Sequence, residues 1–167
     1  MSESQQPKLI DSRGPRFGAG VNFFLSVAAL VTGLIGGFEA TAAERAASPA
    51  FILLGIAWLG FALGTIFGNG ASPWSLIYRT LVQPRLSTPA PKEDPRPPRF
   101  ALGVGLVLST AGLVLDLVGA PWALEVASAF IVIASFLNAF VGFCLGCQVY
   151  LLLIRGGIIR PKTPIAA

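Results

Sequence analysis

Long apolar runs that are almost free of charge dominate the chain. Four of them are long enough to be membrane spans, at residues 17–38, 49–69, 100–118 and 126–154, and Asp116 is the one charged residue within them. A helix needs about 20 mainly apolar residues to cross the roughly 30 Å hydrocarbon core of a bilayer. The pattern therefore predicts four transmembrane helices, the last of them long enough to tilt or to extend beyond the bilayer.

The composition supports the same class of protein. Of the 167 residues, 54% are hydrophobic and 12% are charged, whereas soluble domains average about 45–50% apolar and about 25% charged residues. The chain is predicted to be an all-α integral membrane protein, and the lipid bilayer is its first expected partner.

The positive charges predict an orientation. Eleven of the twelve Lys and Arg residues lie before the first run, between the second and third runs, or after the fourth. Under the positive-inside rule, segments 1–16, 70–99 and 155–167 are then cytoplasmic, with both termini inside. Because this topology accounts for the net charge of +4, and no nucleic-acid-binding module is recognisable, no nucleic acid is expected as a partner.

An internal repeat divides the chain into two halves. The motif Asp11-Ser-Arg-Gly-Pro-Arg-Phe17 recurs as Asp94-Pro-Arg-Pro-Pro-Arg-Phe100, and in this register 14 of the 26 positions from Asp11 to Gly36 are identical. Each half then contains two spans, so the second half enters the membrane from the same side as the first. The predicted fold is a four-transmembrane-helix bundle made of two parallel-repeat helical hairpins, at 17–69 and 100–154.

The segments that flank the hairpins suggest contacts with the membrane surface. Residues 74–86 of the linker mix apolar and basic side chains, which predicts an interfacial helix on the cytoplasmic leaflet. Prolines in both repeated motifs favour a helix start there. Because guanidinium groups bind phosphate well, four arginines of the motifs are predicted to contact lipid headgroups or an anionic ligand: Arg13, Arg16, Arg96 and Arg99.

The candidate chemistry lies in a Cys-x-x-Cys pair near the cytoplasmic end of the fourth run. Cys144 and Cys147 are the two cysteines of the chain. On a regular helix they would share one face, where they could form a disulfide, bind a soft metal or simply pack as small apolar residues. The corresponding residues of the first half, 68–71, contain no cysteine. Three neighbours are candidate supporting residues: Asn138, Gly146 and Gln148.

No cofactor motif is evident, and no metal ligand set is assigned. The chain contains no histidine and no second cysteine pair, so one copy lacks the four nitrogen or sulfur ligands of a structural zinc site. A two-coordinate Cu(I) site between the cysteines stays open, as does a quinone acting as electron acceptor within the bilayer, although no residue requires either.

The two repeated motifs and Gly142-Phe-Cys-Leu-Gly-Cys147 resemble the bacterial membrane family designated domain of unknown function 4395, over nearly the whole chain. The resemblance implies a small multipass protein of the bacterial cytoplasmic membrane whose family pattern includes Cys144 and Cys147. It also suggests a thioredoxin-like or sulfurtransferase protein as a cytoplasmic partner. The family carries no established activity.

The leading hypothesis is a thiol-redox or sulfur-handling membrane component in which Cys144 and Cys147 cycle between dithiol and disulfide or carry a persulfide. One alternative is a permease for a small sulfur compound or anion, for which four spans are few and a homodimer would be expected. The other is a non-catalytic assembly factor of a membrane complex, with cysteines that only pack. Whether the chain is an enzyme stays open.

Overall fold

The computed structural model describes residues 9–37, 39–86 and 91–159. Parts of the predicted flanking segments, at 1–8, 87–90 and 160–167, lie outside the described residues. Four long helices form the body of the protein: α1 (Arg13–Gly36), α3 (Pro49–Phe67), α5 (Arg96–Leu117) and α6 (Ala123–Phe136), which a π turn (Leu137–Val141) extends. All four are long and apolar enough to cross a membrane, which confirms a multipass, mainly helical chain.

Shorter elements connect the long helices. They are α2 (Ala42–Ala47), α4 (Pro73–Ile77), which continues through a π turn (Tyr78–Val82) and a 3-10 turn (Gln83–Arg85), α7 (Leu145–Arg155), a 3-10 turn at Asn69–Ala71, and the antiparallel two-residue strands β1 (Ile10–Asp11) and β2 (Lys92–Glu93).

The four long helices form a square bundle. Helix α1 packs against α3 and α6, and α5 packs against the same two helices, so α1 and α5 lie at opposite corners. The strands, α4 and α7 lie at the end of the bundle where α1 and α5 begin, which we call the linker end. The opposite end, where α2 connects α1 to α3, is the loop end.

The interior of the bundle combines small residues with a few large apolar ones such as Leu54 and Phe61, and many large apolar residues cover its outside. Ala29, Leu54 and Ala57 are 0% exposed, whereas Ile35 is 80% and Val118 is 74% exposed. Membrane helices associate through close backbone approach rather than through burial of large side chains, since lipid is as apolar as leucine. The distribution is that of a bundle surrounded by lipid.

Two glycines show how close the helices come. A Cβ atom placed on Gly112 of α5 would lie 2.5 Å from the Cβ of Ala127 on α6, and one placed on Gly105 would lie 2.7 Å from the ring of Phe61 on α3. Real Cβ atoms do not approach other atoms so closely. Glycine at these positions therefore permits α5 to contact both of its neighbours.

The loop end is closed by a helix cap and an arginine. Thr41 and Glu44 form a capping box at the start of α2, which satisfies backbone N–H groups that the helix leaves unpaired. Arg45 donates from Nε to the carbonyl oxygen of Glu39 (2.9 Å) and from Nη1 to that of Asp116 (3.4 Å). The arginine thus joins the two hairpin loops.

At the linker end the two repeated motifs make the same turn. The Oδ1 atom of Asp11 accepts a hydrogen bond from the backbone N–H of Arg13 (2.8 Å), and that of Asp94 accepts one from the N–H of Arg96 (2.9 Å). An aspartate that binds the backbone two residues later forms an Asx turn, which favours the start of a helix. Both α1 and α5 begin in this way.

Helix α4 packs on the bundle through its aromatic residues. Tyr78 is 3% exposed, its ring lies 5.8 Å from that of Phe17, and its hydroxyl donates to Oδ2 of Asp11 (3.0 Å). Trp74 donates from Nε1 to Oδ1 of Asn22, a buried residue of α1 (3.1 Å). The segment predicted at 74–86 is therefore helical, but it is held against α1 by specific polar contacts.

The fourth predicted run is not one regular helix. The 126–154 run was interpreted as a single long span, whereas the structure ends α6 and its π turn at Val141 and starts α7 at Leu145. The physical reason is Gly142, whose φ of +76° is a left-handed conformation that ends helices. The span candidate is Ala123–Val141, and α7 is a separate apolar helix of 11 residues.

Candidate functional site

The helix breaks just before the cysteine pair. In the π turn, the backbone N–H of Gly142 donates to the carbonyl oxygen of Leu137, and the N–H of Phe143 donates to the same oxygen (2.9 Å). This closure satisfies a carbonyl group that the end of a helix would leave unpaired. The turn then delivers Cys144 to the start of a new helix.

Cys144 and Cys147 form a disulfide, with their Cα atoms 5.2 Å apart. Cys144 is the N-cap of α7, with extended backbone angles (φ −84°, ψ 100°), and its sulfur accepts a hydrogen bond from the N–H of Cys147 (3.3 Å). Both residues are half-buried. The pair therefore joins the residue before the helix to its first turn, and it is not enclosed within a continuous span.

Gly146, between the two cysteines, holds the start of α7 against α5. A Cβ atom at Gly146 would lie 2.6 Å from the Cβ and 2.7 Å from the Cα of Ala101. One turn later, Tyr150 is 8% exposed and its ring lies 5.5 Å from that of Phe100. These contacts fix the position of the disulfide relative to the bundle.

The two predicted supporting amides do not bind the sulfur atoms. Asn138 lies in the π turn and is half-buried, and Gln148 lies in the first turn of α7 and is exposed. Among the described residues, neither amide side chain is hydrogen-bonded to Cys144 or Cys147. Of the three predicted neighbours, Gly146 is the one that the structure places in the construction of the site.

The residue that corresponds to Cys144 in the first half differs from the one expected. The expected counterpart of the cysteine pair was the segment 68–71. In the structure Ser72 precedes α4 as its N-cap, in an extended conformation (φ −61°, ψ 136°), as Cys144 precedes α7. The carbonyl oxygens of Ser72 and Cys144 each accept from the N–H four residues later. Serine thus occupies the equivalent place, and the thiol pair is confined to the second half.

The arginines of the second motif have partners within the protein. Arg96 forms a salt bridge from Nη2 to Oδ2 of Asp94 (2.6 Å), whose side chain is 2% exposed. Arg99 donates from Nε to the carbonyl oxygen of Thr65 (2.8 Å) and from Nη2 to that of Ile66 (2.9 Å), at the end of α3. These contacts occupy guanidinium N–H groups of Arg96 and Arg99 that the sequence predicts to bind lipid phosphates or an anionic ligand.

Arg16 of the first motif lies beside the turn that precedes the disulfide. A Cβ atom at Gly142 would be 3.2 Å from Nη2 of Arg16. The nearby Glu93 of β2 has a pKa above its ordinary value because burial disfavours its charge, and the positive charge of Arg16 opposes that rise. The proximity of Arg16 to the cysteine turn was not predicted; the sole hint in the sequence is that the same motif arginine occurs in both halves. Arg13 begins α1 beside Asp11.

A cavity and an apolar groove lie elsewhere in the described part of the chain. The cavity, of about 250 Å³, opens at the loop end among Glu39, Arg45, Asp116 and Glu125, and the groove runs along α5. Neither is lined by a cysteine. Within residues 9–37, 39–86 and 91–159, no group of three or more His, Cys, Asp or Glu residues has a geometry that could hold a metal ion.

Comparison with known proteins provides one relationship. No curated protein and no solved structure matches the chain significantly. The profile of one protein family matches residues 10–155, which covers both motifs, all four long helices and α7. The chain therefore belongs to the family described as domain of unknown function (DUF4395).

Proposed function

We propose that the protein exchanges electrons with a thiol protein through its Cys144–Cys147 pair. The observation that supports this most strongly is the position of the pair, half-buried at the first turn of a helix that begins after a break at Gly142. A thiolate at a helix N-terminus is stabilised by the unpaired N–H groups and by the helix dipole. Cysteines that only pack within a membrane helix need neither the helix break nor the capping position.

Cys144 is the sulfur that exchanges with the partner in this proposal: it is attacked in the oxidised protein and is the nucleophile in the reduced protein. Its sulfur already accepts the N–H of Cys147, and the same bond would stabilise a thiolate. In the oxidised protein, a thiolate of a partner dithiol attacks the sulfur of Cys144, and Cys147 leaves as a thiolate. The second partner thiol, acting as a thiolate after giving up its proton, displaces Cys144. Once the Cys144 and Cys147 thiolates take up the two protons that the partner thiols have released, two electrons and two protons have passed to the pair, and the partner carries the disulfide.

We place the linker end on the cytoplasmic side of a bacterial cytoplasmic membrane. The support is the distribution of positive residues, since eleven of the twelve Lys and Arg residues flank this end in sequence, as the positive-inside rule requires. A thioredoxin-like protein in the cytoplasm would then reach the pair. A sulfurtransferase would reach it equally, and in that case Cys144 would carry a persulfide.

We further propose that the two hairpins are parallel repeats. The first aspartate of each motif accepts the N–H two residues later, and the last phenylalanine of each motif packs on a tyrosine of the following short helix. Ser26 and Ser109, which the repeat register pairs, are both 0% exposed. Each repeat then consists of a motif, two spans and a short helix, and the second repeat carries the thiols.

The test is to trap the mixed disulfide in membranes. In the Cys147→Ser variant the Cys144 thiolate can still attack the disulfide of an oxidised partner, in the reverse of the step above, and one partner sulfur leaves as a thiolate. No Cys147 thiol is then present to release the partner, so a covalent adduct should accumulate, whereas Cys144→Ser should form none. Non-reducing electrophoresis followed by mass spectrometry would show the adduct, and a sulfurtransferase would be identified by the same method. The absence of adducts from both variants, together with full activity of the double variant in cells, would refute the proposal and favour an assembly factor.

A further inference from the structure

The second half of the chain carries no charge around its thiols. Between Glu125 and Arg155 the sequence has no Asp, Glu, Lys or Arg. On α7 itself, Arg155 lies about 16 Å from Cys144 along a regular helix. On the neighbouring helix α5, Arg96 lies near Tyr150 and is paired with Asp94. A closer charge must come from another element of the fold. Arg16 is such a charge, since the guanidinium group of this α1 residue lies against Gly142.

Geometry limits how far this guanidinium group is from the thiol. A Cβ atom on Gly142 would lie 3.4 Å from Cζ of Arg16. Gly142 precedes Cys144 by two residues, and consecutive Cα atoms are 3.8 Å apart, so Cζ lies within about 12 Å of the Cα of Cys144. At such a distance an always-charged guanidinium still acts on a thiolate in a partly desolvated site.

We propose that Arg16 is a positioning residue for the thiol pair, and that its charge stabilises the Cys144 thiolate released when the mixed disulfide with the partner is resolved. This inference rests on the exchange reaction proposed above, because it assigns a role within the same site. Arg16 would also orient the turn, since its guanidinium group covers the backbone at Gly142. Glu93 would weaken the stabilisation of the thiolate, because its carboxylate interacts with the same guanidinium group.

The repeat supplies a matched control for Arg16. Arg99 is the equivalent residue of the second motif, and it donates to the carbonyl oxygens of Thr65 and Ile66 at the end of α3. Each arginine therefore reaches the end of a long helix from the other half of the chain. The helix that follows near Arg99 is capped by Ser72 rather than by a cysteine, so the loss of Arg99 should disturb packing without acting on a thiolate.

The experiment measures the rate of alkylation against pH in a Cys147→Ser background, where Cys144 is the single thiol of the full-length protein. Reduced protein in lipid nanodiscs is treated with iodoacetamide from pH 5 to 10. Arg16→Gln should raise the midpoint of the profile by about half a pH unit to one unit, a size expected for one charge at roughly 10 Å. Arg16→Lys, which keeps the positive charge, should leave the midpoint close to that of the parent protein. Glu93→Gln should lower the midpoint.

The outcomes separate this inference from the proposed function. If Arg16→Gln leaves the profile unchanged, or if Arg99→Gln shifts it equally, the assignment of Arg16 is wrong even where mixed disulfides form with a partner. If the midpoint shifts as expected but no partner adduct forms, the assignment stands and the exchange function fails. Thermal unfolding of each variant confirms that folded protein is compared, and Arg16→Lys serves where Arg16→Gln does not fold.

Discussion

The most demanding prediction concerns Gly146, because its neighbour is backbone. In Gly146→Ala the new methyl group would lie 2.6 Å from the Cβ and 2.7 Å from the Cα of Ala101. Ordinary contacts begin at 3.4 Å, so α7 must move away from α5 by about 0.8 Å. Overpacking of this kind costs about 1–3 kcal/mol, and alanine recovers about 0.5–1 kcal/mol through its better helix propensity. The expected net loss is about 1–2 kcal/mol.

The assay is reversible unfolding in mixed micelles, with the disulfide intact. Gly55→Ala in α3 is the matched control, since nothing lies within 4 Å of a Cβ atom at Gly55, and it should leave the free energy of unfolding unchanged or slightly higher. Gly146→Ala should also speed reduction of the disulfide, because the displaced helix exposes the pair. Equal stability of the two variants would show that α7 does not pack on α5 as described.

Three further predictions concern other parts of the fold. Gly142→Ala should lower the free energy of unfolding by about 1–2 kcal/mol, because an L-residue is strained in a left-handed conformation, and a denaturant titration measures this. Asp94→Ala should lose about 2–3 kcal/mol by leaving the Arg96 cation without its buried partner, whereas Asp11→Ala, at a half-buried site, should lose less in the same titration. Burial raises the pKa of Glu93 above its ordinary 4.5, so the folded protein keeps this proton to higher pH than the unfolded chain, and stability should fall as pH rises above 4.5 through the raised pKa.

Each of these predictions has a control. For Gly142→Ala it is Gly36→Ala, at a helical position where nothing lies within 4 Å of a Cβ atom. For the pH dependence it is Glu93→Gln, which should flatten that part of the stability curve. A higher stability of Asp94→Ala than of Asp11→Ala would contradict the description of Asp94 as the more tightly bound aspartate.

The number of spans could be read from the sequence, but the break in the fourth run could not. A helix that crosses the hydrocarbon core must be long and almost entirely apolar. Four long, nearly uncharged runs are therefore enough to predict the number of spans. The residues on both sides of Gly142 are equally apolar, so hydropathy does not mark the break. A glycine at that position is compatible with a continuous helix as well as with a turn, so the sequence alone does not show that Gly142 adopts the left-handed conformation that ends the helix.

The chemistry was predictable at the level of residue types, and its surroundings were not. Cys144 and Cys147 stand out because they are the chain's two cysteines, at a spacing that permits a disulfide. Arg16, the charged neighbour of the cysteine turn, lies 128 positions before Cys144 in the sequence. The packing of α1 on α6 and its π turn brings the two segments together. Likewise, Tyr150 corresponds to Tyr78 because each tyrosine packs on the last phenylalanine of a repeated motif. The apolar sequence of α7 does not reveal this alignment of the two halves.

The redox behaviour of Cys144 and Cys147 tests the central claim most directly. Purified protein in nanodiscs would be equilibrated in buffers of graded dithiol-to-disulfide ratio, acid-quenched, and tagged with a maleimide that adds mass to each free thiol. The account predicts reversible conversion between zero and two tags along a two-electron curve, reached from either direction. A pair that stays fully oxidised or fully reduced across all buffers in the folded protein would contradict it.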